Sequence, residues 1–486
     1  MVTAFIPEPS KSGSCYITRL FVFVLSIRSS TVIGMALLPL LLCLPVAAAE
    51  TDARIQPWAG NPYYWSYQGK PVLLLGGSSE DNLFQVSGVE DQLGKLGEAG
   101  GNYVRCTMSW RDDGNVLQFK KKGDRYDLNE WNPEFWNRFE RFLRETATRK
   151  IIVQIEVWAT FDYYQSRWNI NPFNPKNNIN YTREESGLPL QVNSHPVQRG
   201  NDFFRSVPKA KNLKVVLPYQ ERFVDKILEH SLKYDHVLYC MDNETSVTPL
   251  WGEYWSEFIK QKAAEAGKKV ETTEMWDPWK LDHPMHSNTF DHPETYSFID
   301  ISQNNHLSGQ AHYDNALKQR RRIAKNPRPM NNVKIYGAES RRFGSAKDGI
   351  ERFWRSIFAG CAAVRFHRPD SGIGCSPKAL LMIKSAREVT DAIDITRCTP
   401  RPNLLTDRSP NEAYCLSRDK SCYAVLFLDG GDVVLKLEGK ATKPKVRWYD
   451  VEKSEWRKSK KESLRNQSLR LKTPGKGIWV AIVQMD

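Results

Sequence analysis

None of the nine cysteines stands in a C-x-x-C pair, so the usual spacing of a zinc or dithiol redox site is missing. The Gly76-Gly77 pair does not extend to G-x-G-x-x-G, which removes a dinucleotide fingerprint. There is also no phosphate loop and no Ser-His-Asp pattern. Internal duplication is lacking, which argues against a repeat array. The apolar run 20–27 is too short to span a bilayer. No cofactor is expected.

What the chain does have begins with an export signal. From Met35 it runs Ala-Leu-Leu-Pro-Leu-Leu-Leu-Cys-Leu-Pro-Val-Ala-Ala-Ala49, an apolar stretch closed by an Ala47-x-Ala49 cleavage pattern. The expected signal region is 1–49, with Met35 as the true start, cleavage after Ala49 and no membrane anchor. Leu42 before Cys43 is too large for a lipoprotein cleavage site. The protein is therefore expected to be secreted or periplasmic, which argues against nucleic acid as its partner. The formal charge is +13, and cleavage would remove Lys11, Arg19 and Arg28 against Glu8, leaving the chain basic. Much of the excess lies near the C-terminus, as in Arg457-Lys458-Ser459-Lys460-Lys461, either a solvated face or a contact for an acidic polymer. Outside the cytoplasm, an anionic polysaccharide suits that charge best.

At 486 residues the chain exceeds one small core and points to two domains, 50–396 and 397–486. In the first, apolar strand patterns at 71–77, 102–110, 151–160, 237–245, 270–277, 298–306, 333–340 and 362–369 alternate with amphipathic helical patterns. The helical patterns lie at 89–99, 134–148, 220–233, 254–266, 313–325 and 347–359. Parallel strands need crossover helices and a closed sheet has no edge, so the rhythm predicts a (β/α)₈ TIM barrel. The hairpin pattern at 63–70 would close its lower end. The connection 161–218, rich in Asn and Pro, is too long for a plain turn and is expected to shape the substrate site. Beyond Pro402, short alternating segments separated by Gly-Gly, Lys-Pro and Pro-Gly predict a C-terminal antiparallel β-sandwich.

Seven cysteines follow Ala49, so at least one thiol stays free. Cys106 and Cys240 read as buried small hydrophobes. Cys415 with Cys422, and Cys375 with Cys398, are the pairings the spacing leaves open.

Two strand patterns end in carboxylates: Tyr239-Cys-Met-Asp-Asn-Glu-Thr245 delivers Asn243-Glu244, and Val333-Lys-Ile-Tyr-Gly-Ala-Glu-Ser340 delivers Glu339. Carboxyls from two strand ends suit glycosidic bond cleavage, one protonating the leaving oxygen and the other attacking the sugar or stabilising its cation. Asn-Glu on the fourth strand of eight and Glu on the seventh resembles the clan A retaining glycoside hydrolases. A barrel followed by a compact sandwich resembles, within that clan, the apiosidase-like proteins with a collagen-binding-type C-terminal domain. The resemblance covers about 55–486. It implies Glu244 as general acid/base, Glu339 as nucleophile and Asn243 as hydrogen-bond partner of a sugar hydroxyl. Arg105 would sit by Glu339 and lower its pKa. The sixth strand ends Ser302-Gln-Asn-Asn-His306, where the clan often carries a tyrosine. The eighth ends Arg365-Phe-His-Arg368, without the clan's common tryptophan. His306 and His367 are the candidates for those two roles.

Trp158, Trp276 and Trp279 lie at or beyond strand ends, as sugar platforms or as packing beneath the loops. Asp277 would hydrogen-bond sugar hydroxyls and is the spare carboxylate. The run Asp282-His-Pro-Met-His286, with Asp291, His292 and Glu294, does not place its side chains on one helical face, so a loop over the cleft is expected there and no metal. The sequons at Asn180, Asn243 and Asn466 are read as chance matches. The expected function is a glycoside hydrolase acting on a carbohydrate substrate. The alternative is a non-catalytic carbohydrate- or matrix-binding protein on the same barrel.

Overall fold

The computed structural model describes residues 53–194, 200–338, 343–438 and 443–485. The export signal and Glu339 lie outside the described residues. Among those described, eight parallel strands follow one another: Leu74–Gly77, Tyr103–Thr107, Ile152–Ala159, Val237–Asn243, Thr272–Thr273, Ile299–Asp300, Met330–Ile335 and Ala363–Phe366. The ladder runs from the fifth strand back to the first, which pairs with the eighth, and on to the sixth. The fifth and sixth complete the ring through Ser297 N–H to Thr272 O (3.0 Å) and Thr273 Oγ1 to Phe298 O (2.8 Å). This is a TIM barrel. The first strand can lie close to its neighbours because Gly76 and Gly77 lack a Cβ, which would stand 1.8 Å from Tyr103 O and 2.3 Å from Gly374 O.

The third strand, Ile-Val-Gln-Ile-Glu-Val-Trp-Ala, is buried along its whole length. Gln154 accepts from Tyr103 Oη (2.7 Å), and Glu156 meets Arg105. The crossovers predicted from periodicity are present, for example Pro133–Thr148 with its Asn132 cap and Ala346–Phe358 with its Ser345/Asp348 capping box. Pro377–Ile393, which the sequence reading left out, follows the eighth strand and starts at a Ser376 cap with Pro377 in its first turn. The hairpin Trp65–Tyr67 and Lys70–Val72 stops the lower end: Trp65 Nε1 donates to Asn331 Oδ1 (3.0 Å), and its ring meets Phe298 edge-on at 5.2 Å.

Beyond the barrel, Ala413–Arg418, Cys422–Phe427, Trp479–Gln484 and Lys445–Asp450 form an antiparallel sheet, backed by a second one of Leu405–Thr406, Asp432–Lys436 and Ser468–Lys472. Alternation sorts the first sheet into two faces. Tyr414, Leu416, Ala424, Leu426, Tyr449, Val480 and Ile482 join the barrel's core. Cys415, Tyr423, Val425, Phe427, Ala481 and Val483 join a separate core inside the sandwich. Polar ties reinforce the first face: Ser385 Oγ donates to Val451 O (2.8 Å) and Arg355 to Asn411 Oδ1 (2.8 Å).

The cysteine pairings considered from spacing do not form. Register sets Cys415 opposite Val425 and Cys422 opposite Arg418, and Cys375 and Cys398 are likewise free. Cys106 and Cys240 are buried, as their apolar surroundings in sequence implied.

Candidate active site

The fourth strand ends at Asn243, and Glu244 then turns with φ 56°, a left-handed backbone that a side-chain-bearing residue adopts only when its surroundings impose it. Thr160 Oγ1 donates to the carbonyls of Asn243 (2.8 Å) and Glu244 (3.0 Å), and Thr245 N–H donates to Met275 O (2.9 Å). The turn places Glu244 in a cavity of about 490 Å³ at the carboxyl ends of the strands.

Two residues from the end of the seventh strand meet it there. Lys334 Nζ lies 2.7 Å from Glu244 Oε1 and donates to Asn243 Oδ1 (2.5 Å), and Tyr336 Oη donates to the same carboxylate oxygen (3.2 Å). Gln303 Nε2 approaches it at 3.5 Å. Burial alone would raise the Glu244 pKa. The charge and hydrogen bond of Lys334, with Arg105 and Tyr336, outweigh it and hold the carboxyl below its ordinary value. Asp277 shows the opposite balance. Its amide donates to Thr245 O (2.7 Å), fixing it beside the fourth strand. Burial first, and then the Glu244 charge, push its carboxyl up to about 6 against the pull of Lys334. The cavity thus holds two carboxyls whose protonation is driven apart.

Asp81, after the first strand, gathers three arginines, Arg105 (3.3 Å), Arg368 (3.6 Å) and Arg111 (3.9 Å), with His367 Nδ1 at 3.6 Å. Burial raises its pKa, but these neighbours bring it well below the carboxylate range. Burial, with the charges of Arg105, Arg365 and Lys334, holds His367 well below its ordinary pKa despite Asp81, so it is neutral near pH 7. His306 stacks on Trp279 at 4.4 Å and meets Tyr336 edge-on at 5.6 Å.

Of the residues singled out from sequence, Asn243, Glu244, Asp277, Trp279, His306 and His367 line this cavity together. Three do not. Arg105 is fully buried and pairs with Glu156 (2.7 Å) and Asp81, so it acts beneath the cavity rather than on a sugar. Trp158 is buried among Trp255 (5.2 Å), Phe223 (5.3 Å) and Phe203 (5.5 Å). Trp276 is buried with Nε1 donating to Thr289 Oγ1 (2.7 Å). Both indoles pack against surrounding segments, so neither is a sugar platform. Trp279 is the exposed ring, at 61%. Trp279→Ala is expected to weaken binding of a ligand seated on that ring about three- to tenfold, the worth of one aromatic contact, with the melting temperature nearly unchanged; titration of the ligand checks this.

The long connection after the third strand is held by its asparagines. Asn171 Nδ2 donates to Asp162 O (3.0 Å), Asn174 to Trp168 O (2.9 Å) and Asn178 to Pro172 O (3.0 Å). Among its described residues Phe161 reaches the cavity. The Asp282 run is not a loop. Pro284–Phe290 is a helix, His286 Nε2 is hydrogen-bonded with Pro278 O (2.8 Å), and Asp282 accepts from Lys318 (2.6 Å). Lys334, Tyr336, Gln303 and Asp81 also line the cavity and were not singled out from the sequence; for the first two, a lysine inside the apolar pattern Val333-Lys-Ile-Tyr336 was the available signal.

Beneath the site, Glu274 stitches the two strands that carry Glu244 and Asp277. Its Oε1 accepts from Asp242 N–H (2.9 Å) and Met275 N–H (2.9 Å), and its Oε2 fits against Gly252, where a Cβ would stand 2.5 Å away. Burial, with Glu156 and Asp300 adding, pushes its carboxyl up to about 8 although the two amides oppose this. A carboxyl that holds its proton in the folded state contributes full stability below the unfolded pKa of about 4.3 and loses it as pH rises towards the folded value. The unfolding free energy from urea titrations is therefore expected to lose, between pH 5 and 8, up to about 1.4 kcal/mol from such a carboxyl for each pH unit crossed. Glu274→Gln, which keeps the acceptor oxygen, should flatten part of that slope. A slope identical to the parent's would exclude Glu274 as its source.

No family model and no curated protein sequence matches the chain. Solved structures do resemble it. A glycoside hydrolase family 5 protein from Bacteroides vulgatus shares 12% identity with a TM-score of 0.61, over 89% of this chain and 94% of that one. A noncanonic maltogenic α-amylase, AmyB, from Thermotoga neapolitana shares 10% identity with a TM-score of 0.54, over 85% and 99%. A glycoside hydrolase family 5 mannosidase from Rhizomucor miehei shares 13% identity with a TM-score of 0.50, over 71% and 99%. At such identities the likeness is one of fold: a TIM barrel of the kind these glycoside hydrolases use.

Proposed function

We propose that this chain is an exported glycoside hydrolase that cleaves O-glycosidic bonds of a poly- or oligosaccharide by a retaining, two-carboxylate mechanism. Glu244 is assigned as general acid/base and Glu339 as nucleophile, with Asn243 and Asp277 binding sugar hydroxyls, His306 orienting the nucleophile and His367 flooring the sugar subsite. The observation that carries this reading is the carboxylate of Glu244, turned by a left-handed backbone into the cavity and ringed by Lys334, Tyr336 and Gln303. Barrels of this kind place chemistry at the carboxyl ends of their strands. A close relationship to apiosidase-like proteins, with a collagen-binding-type sandwich, is part of the same proposal.

A second assignment of roles is favoured by one observation: Asp277 is the carboxyl that keeps its proton to about pH 6, while Glu244 is held ionised. Asp277 is then the proton donor and Glu244 the charged partner.

The test is a panel of plant and algal polysaccharides and aryl glycosides, read beside Glu244→Gln and Glu339→Gln. Product release by the parent, lost in both variants, is the expected result. NMR of the earliest product should show the anomeric configuration of the substrate, and inversion would overturn the retaining mechanism. Silence across the panel with polysaccharide binding intact would favour a binding protein.

A further inference from the structure

A second cleft, of about 890 Å³, lies outside the barrel's strands, between the N-terminal segment, the end of a crossover helix and the link into the sandwich. Crossover helices run antiparallel to their strands, so the C-terminal end of Gly309–Arg322 faces away from Glu244. That helix end brings Arg320 and Arg321 to the cleft. The N-terminal segment supplies Trp58 and Tyr63, and the link into the sandwich supplies Arg397. Asn61 Nδ2 donates to Thr396 O (2.8 Å), closing one wall.

The charges here are unbalanced. Arg320 is only 8% exposed, stacks on the Tyr63 ring at 3.6 Å and donates to Gly360 O (3.0 Å), yet no carboxylate among the described residues lies within 4.0 Å of it. Arg321 is exposed and also has no acidic partner among the described residues. Arg397 has Asp394 at 3.6 Å, and Asp419 is the acid in the cleft lining. Helix C-termini favour cations, which accounts for basic residues in this turn. It does not account for the contrast with Arg322, which is paired with Asp291 at 2.7 Å. A largely buried guanidinium without a counter-ion is costly, and an anion in the cleft would offset that cost through charge-assisted hydrogen bonds.

We propose that this cleft binds an anionic glycan, with carboxylate or sulfate groups on Arg320, Arg321 and Arg397 and the apolar face of a sugar ring against partly exposed Trp58. The choice of a glycan as carrier of the anion rests on the hydrolase reading. The anion site itself does not.

The experiment titrates polygalacturonate, dextran sulfate, neutral dextran and poly-L-glutamate into the full mature chain carrying Glu244→Gln, which keeps the probe intact. Arg321→Glu/Arg397→Glu is compared with the charge-matched Lys458→Glu/Lys460→Glu, all four residues being exposed. The expected result is binding of an anionic glycan but not dextran, weakened about tenfold or more by the arginine pair and less than about twofold by the lysine pair. Preference for polygalacturonate or for dextran sulfate identifies the anion as carboxylate or sulfate. Equal losses in both double variants, or none in the arginine pair, would overturn the site. Polyglutamate binding as tightly as the glycans would overturn the glycan assignment. Because the readout is binding, a chain inactive on every substrate still gives an answer.

Discussion

On the proposed hydrolase reading, replacing Glu244 by glutamine is expected to lower kcat/KM by about 10³-fold or more, because the amide keeps the volume but neither exchanges the proton nor carries the charge. Lys334→Met then separates the two role assignments. With its cation removed, the Glu244 carboxyl rises, since Lys334 is the strongest influence opposing burial. If Glu244 is the acid, it must be protonated to act, and the alkaline limb of the pH–rate profile moves to higher pH. If Glu244 is the charged partner, it must be ionised, and the acidic limb moves up instead. In that case Asp277→Asn abolishes the alkaline limb near pH 6 along with most of the rate, Asp277 being the group pushed up to about 6. A profile unmoved by Lys334→Met would remove Lys334 from both mechanisms.

Arg105→Met destabilises the barrel by about 3–5 kcal/mol, the usual loss when one member of a buried ion pair is removed and its partners are left behind. Arg105 is fully buried with Glu156 at 2.7 Å and Asp81 at 3.3 Å, and Glu156 is itself fully buried. Without the guanidinium both carboxyls lose their nearest positive charge, and Glu156, already raised by burial, takes up a proton. The check is urea unfolding of Arg105→Met, Glu156→Gln and the double variant. The double variant should lose less than the sum of the two singles, because the unpaired charge is gone. A loss below about 1 kcal/mol in Arg105→Met would mean that water reaches this network.

The barrel was legible because continuous apolar runs, buried on both faces, alternate with helical segments of period 3.6, and both patterns depend on burial alone. Asn243-Glu244 was legible because a polar pair ended an apolar run. What could not be read was orientation. Trp158 and Trp279 both stand by strand ends, yet one indole packs among aromatic rings and the other faces solvent. That difference is set by neighbours distant in sequence, such as Phe203, Trp251 and Trp255. The sixth strand shows a local limit. Asp300 accepts from Ser302 N–H (2.8 Å), so the expected run to 306 leaves the extended form and continues as the 3₁₀ turn Ser302–His306. The link between Lys334 and Glu244 spans the barrel, so no local pattern announces it, and only the oddity of a lysine in a buried strand marks the position.

The sheet that shares its two faces between two cores bears on how the C-terminal region is handled and how it could have been inherited. Tyr414, Leu416 and Leu426 belong to the same continuous apolar core as the residues of the barrel. Cutting the chain near residue 397 would open an apolar wall on each piece, so the fragments invite aggregation and a truncated protein would report on a damaged barrel. A domain joined in this way is not free cargo on a tether. It cannot be shuffled between proteins without the patch of helices it was fitted to.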